Sequence, residues 1–381
     1  MKVVFDKETF LSALYPAMAT VSNKNTIASL EGVLIECCEN NSMTISSYDM
    51  KKGVISKTEA IKTEKAGCHI IPAQRLMQIV RLMPVGPITL EILENETATI
   101  SSLSGHFSLK AQRGEDFPSL PEMNKERFFS VKAGVLKRVI GKVLHSIAEN
   151  DIKAMLCGAF FSVSESGLEV VSCNNFMLSK CHVCCEVSHA GENQSPLSFI
   201  VPGHALQELV KLLPDGEEPV AVELTGKHVV FKTENIVFFT RLIEENYMDY
   251  KRIIPSGYPI SVTINRDLFI EGLERVNLIA EEKTQGNIRS YVKIHVNGTL
   301  FEMSAVSASG NAFEEISCEH TGDDLQIGFN GKFLMSCLRV IESEDVVLTL
   351  KSATQSMTIE PLQKKEGEDL FYMVLPLRMN Q

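Results

Sequence analysis

The sequence predicts an α+β protein made of three tandem copies of one domain, each carrying two helices on a multistranded antiparallel sheet. Two helix-forming segments, each repeated three times, lead to this reading. IIPAQRLMQIVRLMP at 70–84, IVPGHALQELVKLLP at 200–214 and GFNGKFLMSCLRVI at 328–341 each pass from an apolar strand into a helix. The step from Pro72 to Pro202 is 130 residues and from Pro202 to Asn330 is 128. An earlier helix recurs as DKETFLSALYPAMATV at 6–21, KAGVLKRVIGKVLHSI at 132–147 and NRDLFIEGLERVNLIA at 265–280, with Phe10, Leu136 and Phe269 in register. The text between the helices alternates apolar and polar residues with period two, as antiparallel strands with one wet face do. The 381 residues are thereby divided into domains at 1–125, 126–254 and 255–381.

Each element has its own local reason. Pro72 and Pro202 stand at helix starts, where a missing N–H costs nothing, and Asn330 is a capping residue. In the late helices the columns 76/206/334, 79/209/337, 80/210/338 and 83/213/341 are all apolar and form one i, i+3, i+4, i+7 stripe. The column Arg81/Lys211/Arg339 lies about 150° from that stripe, so one basic residue recurs on the outward face of all three helices. In the second early helix Leu136, Val139, Ile140, Val143, Leu144 and Ile147 face inward, Arg138 and Lys142 outward, and Lys137 along the flank. Arg275 is outward in the third, beside Glu271 and Glu274. Pro16 should kink or shorten the first helix. GVLIECCENNSMTISSYD, LEVVSCNNFMLSKCHVCCEV and VKIHVNGTLFEMSAVSA supply the strands. Leu278 and Ile279 break the phasing begun by Phe269, Leu273 and Val276, and an apolar pair out of phase near a helix end suits a subunit contact.

Composition narrows the chemistry. Forty-four percent hydrophobic and 22% charged is globular and excludes disordered, collagen-like or fibrous chains. No run approaches a membrane span, and MKVVFDKETF meets Asp6 before any apolar stretch, so no signal peptide is expected. The chain is expected to be soluble and cytoplasmic. With 37 basic against 48 acidic residues, net −11, generic nucleic-acid affinity is disfavoured unless the basic groups are segregated on one surface. Ten cysteines including the adjacent pairs Cys37-Cys38 and Cys184-Cys185 read as reduced thiols, not disulfide staples. GxxxxGK[ST], HExxH and GxSxG are absent. Cys181-His182-Val183-Cys184-Cys185 resembles half a zinc site, but a structural site needs four ligands, and a strand would point Cys181 and Cys185 away from Cys184. No catalytic residue, metal or cofactor is expected.

Several of these stretches resemble one family. RGEDFPSLP at 113–121, DYKRIIP at 249–255, IGFN at 327–330 and the ending Met373-Val374-Leu375-Pro376-Leu377-Arg378, on a tandem α+β triplication, are similar to the bacterial DNA polymerase III beta subunit, the beta sliding clamp. The resemblance covers all three repeats. It implies a DNA clamp fold closed head to tail as a homodimeric ring around duplex DNA. Partners would be the polymerase III alpha subunit, clamp-loader subunits, other polymerases and repair proteins, each tethered by a short hydrophobic peptide. Such a ring is a processivity factor with no catalysis of its own, and holding DNA by topology removes the objection raised by the acidic total. The family's pore helices correspond to those bearing Arg75, Arg81, Lys137, Arg138, Lys142, Lys211, Arg275 and Arg339, and its loop contacts to Lys24 and Asn150.

The resemblance also implies a peptide pocket between the second and third repeats. Its wall is Leu156, Cys173, Asn175, Phe176, Met177 and Leu178, continued by Met248, Arg252 and Ile253, then Asn330, Phe333, Thr354 and Ser356, with Met373, Val374, Leu375, Pro376, Leu377 and Arg378 from the tail. Where the family commonly reads Thr-Asp-Gly-His-Arg-Leu, this chain reads Cys-Asn-Asn-Phe-Met-Leu at 173–178, which makes the pocket greasier and poorer in hydrogen bonds. Phe107 and Leu109 correspond to one side of the ring interface, Leu278 and Ile279 to the other. Two alternatives remain at this point: a repeat-built interaction scaffold with no DNA role, and a thiol-dependent enzyme.

Overall fold

The computed structural model describes residues 1–21, 27–103, 105–123, 127–186, 188–190, 197–280 and 291–378. Its six helices among these residues are α1 (Lys7–Ala17), α2 (Ala73–Leu82), α3 (Ala133–Val143), α4 (Gly203–Leu212), α5 (Arg266–Ala280) and α6 (Gly331–Leu338), two per repeat. The first repeat contributes strands β1 (Lys2–Asp6), β2 (Gly32–Cys37), β3 (Ser42–Tyr48), β4 (Lys52–Glu59), β5 (Lys62–Lys65), β6 (Gly67–Pro72), β7 (Pro87–Ile92), β8 (Thr97–Ser101), β9 (His106–Lys110) and β10 (Gln112–Arg113). The second adds β11 (Arg127–Lys132), β12 (Gly158–Ser164), β13 (Gly167–Cys173), β14 (Met177–Val183), β15 (Ser188–Ala190), β16 (Leu197–Pro202), β17 (Pro219–Leu224), β18 (His228–Lys232) and β19 (Ile236–Arg241). The third adds β20 (Ile260–Asn265), β21 (Val292–Asn297), β22 (Leu300–Ser307), β23 (Gly310–Ser317), β24 (Glu319–Thr321), β25 (Leu325–Phe329), β26 (Asp345–Leu350), β27 (Met357–Pro361) and β28 (Glu368–Val374).

The periodicities act as expected. Leu76, Leu206 and Leu334 are buried at the head of each late helix stripe, and Met83, Leu213 and Ile341 at its tail. Val3 and Phe5 alternate with wetter neighbours in β1, as Ile260, Val262 and Ile264 do in β20. Asp6 caps α1, its carboxylate accepting from the amides of Glu8 at 3.0 Å and Thr9 at 3.1 Å, a device worth about 1 kcal/mol. Asn265 and Asn330 do the same for α5 and α6. The first α-helix ends at Ala17, one residue past Pro16, and continues as a 3₁₀ turn over Met18–Thr20. Proline is not the whole cause, because α3 also stops early and passes into a 3₁₀ turn over Leu144–Ser146 without one.

Among the described residues all strand pairings are antiparallel. Four sheets result, ordered β5-β1-β7-β8-β9, β10-β6-β2-β3-β4-β19-β18-β17-β11-β15, β16-β12-β13-β14-β28-β27-β26-β20-β24 and β23-β22-β21-β25. Two pairings fuse the repeats: β4 with β19, in which Gly53 faces Phe239, and β14 with β28, in which Leu178 faces Met373. The chain accordingly forms two compact units that follow the sheets and not the repeats. The first is mainly Met1–Gly134 with Gln207–Leu242, the second mainly Val135–Val187 with Ile243–Gln381. The first unit has a core built on Phe5, Phe10, Leu76 and Ile100, and a second cluster of Leu30, Tyr48, Phe117, Val230 and Phe239 along the β4–β19 seam.

In the second unit a polar knot sits inside the apolar interior. The Ser179 hydroxyl lies 2.5 Å from that of Ser146 and 3.2 Å from His145 Nε2, while His145 Nδ1 is buried with no partner. Burial alone pulls the His145 imidazole down to about 4 from 6.5. Charging it is easier in the unfolded chain, so its contribution is complete above pH 6.5 and is lost as pH falls towards 4. Chemical denaturation should show the second unit about 2 kcal/mol less stable at pH 5 than at pH 7.5 on this account. The His145→Gln variant should lose that part of the pH dependence.

Candidate functional site

The richest surface of the second unit begins at the turn joining β13 to β14. Asn174 Oδ1 accepts from the amides of Phe176 at 3.1 Å and Met177 at 2.9 Å. Asn175 takes a left-handed φ of 69°, which asparagine tolerates better than most residues, and its amide donates to Asp151 at 2.8 Å. The tight turn pushes Phe176 outward, 49% exposed. Its ring stacks on Phe333 of α6 with centroids 5.8 Å apart and planes 25° from parallel. The chain after β28 is tied to both neighbours: the Leu375 amide donates to the Phe176 carbonyl and the Leu377 amide to the Gly328 carbonyl, both at 2.8 Å. Leu375 and Ile253 remain exposed, at 40% and 45%.

Behind this rim lies one apolar cluster. Leu156, Val171, Cys173, Leu178, Tyr250, Phe371 and Met373 are buried in it, with Phe160, Tyr247, Met248 and Ile254 packed against them. Five residues expected at the pocket, Leu156, Cys173, Leu178, Met248 and Met373, therefore share one floor. Ser356 is buried and bonded to Tyr258 at 3.1 Å, Asn330 caps α6 as described above, and Met177 receives a Ser336 hydroxyl at 3.8 Å. Thr354 is exposed beside Ser352. Arg252 is exposed and paired with Asp249 at 2.8 Å. Pro376 is half-buried and Arg378 exposed.

The tail is less of a tail than its sequence suggests. Met373 and Val374 complete β28, and Val374, fully buried, faces Met177 and Met357. Sequence reasoning missed Tyr247, Tyr250 and Phe160. Tyr247 stacks on Phe160 at 5.1 Å, and Tyr250 donates its hydroxyl to Glu169. Burial raises both phenols, most strongly Tyr247. Two tyrosines in a connection of no periodicity were the available signal, since a loop aromatic usually has something to pack on.

The basic column behaves as phased at Arg81, Lys211 and Arg339, each exposed on its own helix or at its end. Arg75 is exposed too. Lys211 pairs with Glu208 at 3.0 Å and Arg339 with Glu274 at 2.8 Å. Exposed pairs of this kind are worth about 0–1 kcal/mol, so a phosphate would compete readily for either cation. Two expectations of outwardness need revision, at Lys142 and Arg138, while Arg275 is outward as expected. Lys142 is buried at 5%, because its ammonium donates to the Val340 carbonyl and to Glu342 at 2.7 Å. Arg138 is half-buried with Nε 3.2 Å from Glu368, and Arg275 is exposed but held by both oxygens of Glu314, at 2.7 and 2.9 Å. Lys137 is half-buried and Asn150 exposed. Lys24 lies outside the described residues.

Other candidates have simpler accounts. Burial pushes the Cys37 and Cys181 thiols up to about 12 and raises Cys173 and Cys337 as well, the opposite of what a thiolate nucleophile needs. Cys181 is buried in β14 while Cys184, past the strand end, is exposed. Among the described residues no three His, Cys, Asp or Glu side chains gather as metal ligands. No helix among them is long and apolar enough to cross a membrane. On β9, the end strand of the five-stranded sheet in the first unit, Phe107 is 44% exposed and Leu109 half-buried against the core. On α5 of the second, Leu278 is 79% exposed and Ile279 half-buried.

Deleting Leu375–Gln381 leaves β28 intact and should abolish binding of a peptide with leucine and phenylalanine anchors. Phe176→Ala should weaken it severalfold, because half of the exposed aromatic pair is lost. Fluorescence anisotropy with a labelled peptide measures both. Undiminished affinity in the truncated protein would place the slot elsewhere.

Comparison with known proteins follows the repeat pattern. Models of the DNA polymerase III beta subunit match residues 1–121 with its N-terminal domain, 130–249 with its central domain and 251–378 with its C-terminal domain. The beta sliding clamp of Staphylococcus epidermidis is 24% identical over 387 aligned positions, covering 99% of each chain, and that of Staphylococcus aureus is equally similar. Among solved structures, a putative DNA polymerase III beta subunit from Eubacterium rectale superposes with a TM-score of 0.87 at 27% identity over all of both chains. The sliding clamp of Pseudomonas aeruginosa bound to griselimycin gives 0.91 at 23% identity, again over all of both chains.

Proposed function

Since the chain belongs to the DNA polymerase III beta subunit family, we propose that two copies close head to tail into a ring that encircles duplex DNA and serves as a polymerase processivity factor. It is a non-catalytic subunit of the DNA-directed DNA polymerase holoenzyme. The polymerase III alpha subunit, clamp-loader subunits, other polymerases and repair proteins dock through short hydrophobic peptides in the slot around Phe176, Phe333 and Met373. Its place of work is the bacterial cytoplasm, where the chromosome lies.

One observation carries the ring. Strands β4, β14 and β23 occupy the same place in successive repeats, starting at residues 52, 177 and 310, and β9, β19 and β28 another, at 106, 236 and 368. Within the chain β4 takes β19 and β14 takes β28. The remaining members, β23 and β9, each end a sheet with one flank unpaired among the described residues. A second copy supplies β9 to β23, and the half-sheets of five and four strands become a sheet of nine, matching the nine- and ten-stranded sheets inside the chain. Exposed Phe107 on β9 and exposed Phe313 and Leu278 on or beside β23 give that seam apolar surface to bury. The same surface used from opposite ends of a chain closes a ring when the rotation permits.

Encirclement also fits the charge. A closed ring needs no deep phosphate grip and no base contacts, only a mildly positive lining. Arg75, Arg81, Lys211 and Arg339, on exposed helical positions, supply it, with Lys137 and Asn150 alongside. Acid elsewhere limits unproductive DNA binding.

The protein should run in solution at twice 42.2 kDa, remain on nicked circular DNA after loading, and run off when that DNA is linearised. Equal loss from both forms would reject encirclement. Phe107→Glu and Leu278→Glu should each give monomers that are not retained on circles. Reversing Arg81 and Lys211 together to Glu should shorten residence on circles and reduce polymerase processivity, whereas a scaffold without a DNA role would be indifferent.

A further inference from the structure

The buried lysine of α3 has a use that its sequence position did not suggest. Lys142 grips two elements of the third repeat at once. Its ammonium, 7% exposed, donates to the Val340 carbonyl just past α6 and to Glu342 at 2.7 Å, while its own carbonyl accepts the buried Tyr372 hydroxyl at 3.0 Å. Helix α6 carries Phe333, the partner of Phe176. Tyr372 stands in β28 immediately before Met373, which faces Leu178 across the sheet. Both third-repeat walls of the slot are thus referred to one residue of the second repeat, the end of α6 through the Lys142 side chain and β28 through the Lys142 backbone carbonyl. Glu342 is the wet end of the pair at 65% exposed, and the hydrogen bond from Lys142 holds its carboxyl below the usual range.

This clasp is not demanded by the fold. In the alignment set by Phe10, Leu136 and Phe269, the counterparts of Lys142 are Pro16 and Arg275. In the alignment set by Pro72, Pro202 and Asn330, the counterparts of Glu342 are Pro84 and Pro214. Arg275 turns instead to Glu314 of its own repeat. The equivalent positions of the other repeats therefore hold no Lys and no Glu from which to build such a clasp.

We propose that Lys142 is a positioning residue of the peptide slot, its side chain setting the end of α6 against the Cys173–Leu178 turn and the β28 strand that its backbone carbonyl already holds, and not a DNA contact. The inference rests on the slot reading above. Its test compares the full-length dimeric wild type with Lys142→Met, Lys142→Arg and Glu342→Gln. Three quantities are read: the affinity for a fluorescein-labelled synthetic hexapeptide with leucine and phenylalanine anchors, the melting temperature, and retention on nicked circular DNA. Lys142→Met should weaken the peptide about tenfold at a temperature where it is fully folded, Glu342→Gln about threefold, and Lys142→Arg least, in the range of couplings between contacting groups. Retention on circles should not change. Wild-type peptide affinity in folded Lys142→Met, or lost DNA retention with peptide affinity intact, overturns the proposal. Should Lys142→Met not fold, Glu342→Gln decides alone, since it keeps the buried carbonyl bond. Absence of peptide binding by the wild type would instead remove the slot itself, and the proposal with it.

Discussion

A strand at the edge of a sheet presents a row of backbone donors and acceptors that must find protein, water or another chain. Most of this architecture follows from how that requirement is met. β4 and β14 would be edges if each repeat stood alone; β19 covers Lys52–Ser56 of β4 and β28 covers the whole of β14, both through antiparallel ladders. The seams bring side chains with them: Tyr48 and Phe239 lie 5.6 Å apart at the first, and Cys173, Leu178, Phe371 and Met373 gather at the second. The proposed slot for peptides is consequently a by-product of a seam, lined by whatever the joining strands and the adjoining turn leave uncovered.

Electrostatics is organised on a shorter scale than the net charge suggests. Cations on the helices mostly have a carboxylate within reach, as at Lys211–Glu208, Arg339–Glu274 and Arg275–Glu314. Pairing of this kind damps the field at each site and leaves a shallow attraction, as the proposed passage of a polyanion over these helices requires. Lys142 belongs to a different class. Its ammonium is dry, so its partners were fixed by folding and are not exchanged with solvent ions.

The repeats, the helix stripes and the alternating strands were legible because they depend on local periodicity, and the buried columns from Leu76 to Ile341 follow it closely. Phasing also foretold that Arg81, Lys211 and Arg339 point away from their cores. It failed at Lys142 for a definite reason. A helical wheel gives a direction, and what occupies that direction here is chain 198 to 200 residues further on. Tyr247 and Tyr250 were missed because a connection has no period to break, and only their aromatic character signalled packing. Met373 and Val374 looked like a free ending and are the last rungs of a ladder, since β28 is defined by its partners more than by its own composition. The proposed slot as a whole was suggested only by family resemblance, because its walls come from four separated stretches of chain.

Fusing the sheets across repeats has a consequence for anyone who would dissect the protein. The visible triplication invites three expression fragments, yet a cut near residue 125 would strip β4 of its neighbour, and a cut near 255 would leave β14 equally bare. Each excised piece would carry fresh adhesive ribbons, a recipe for fibrils or swapped oligomers. The gene tells of three modules; the polypeptide will tolerate scissors only where its ladders already end.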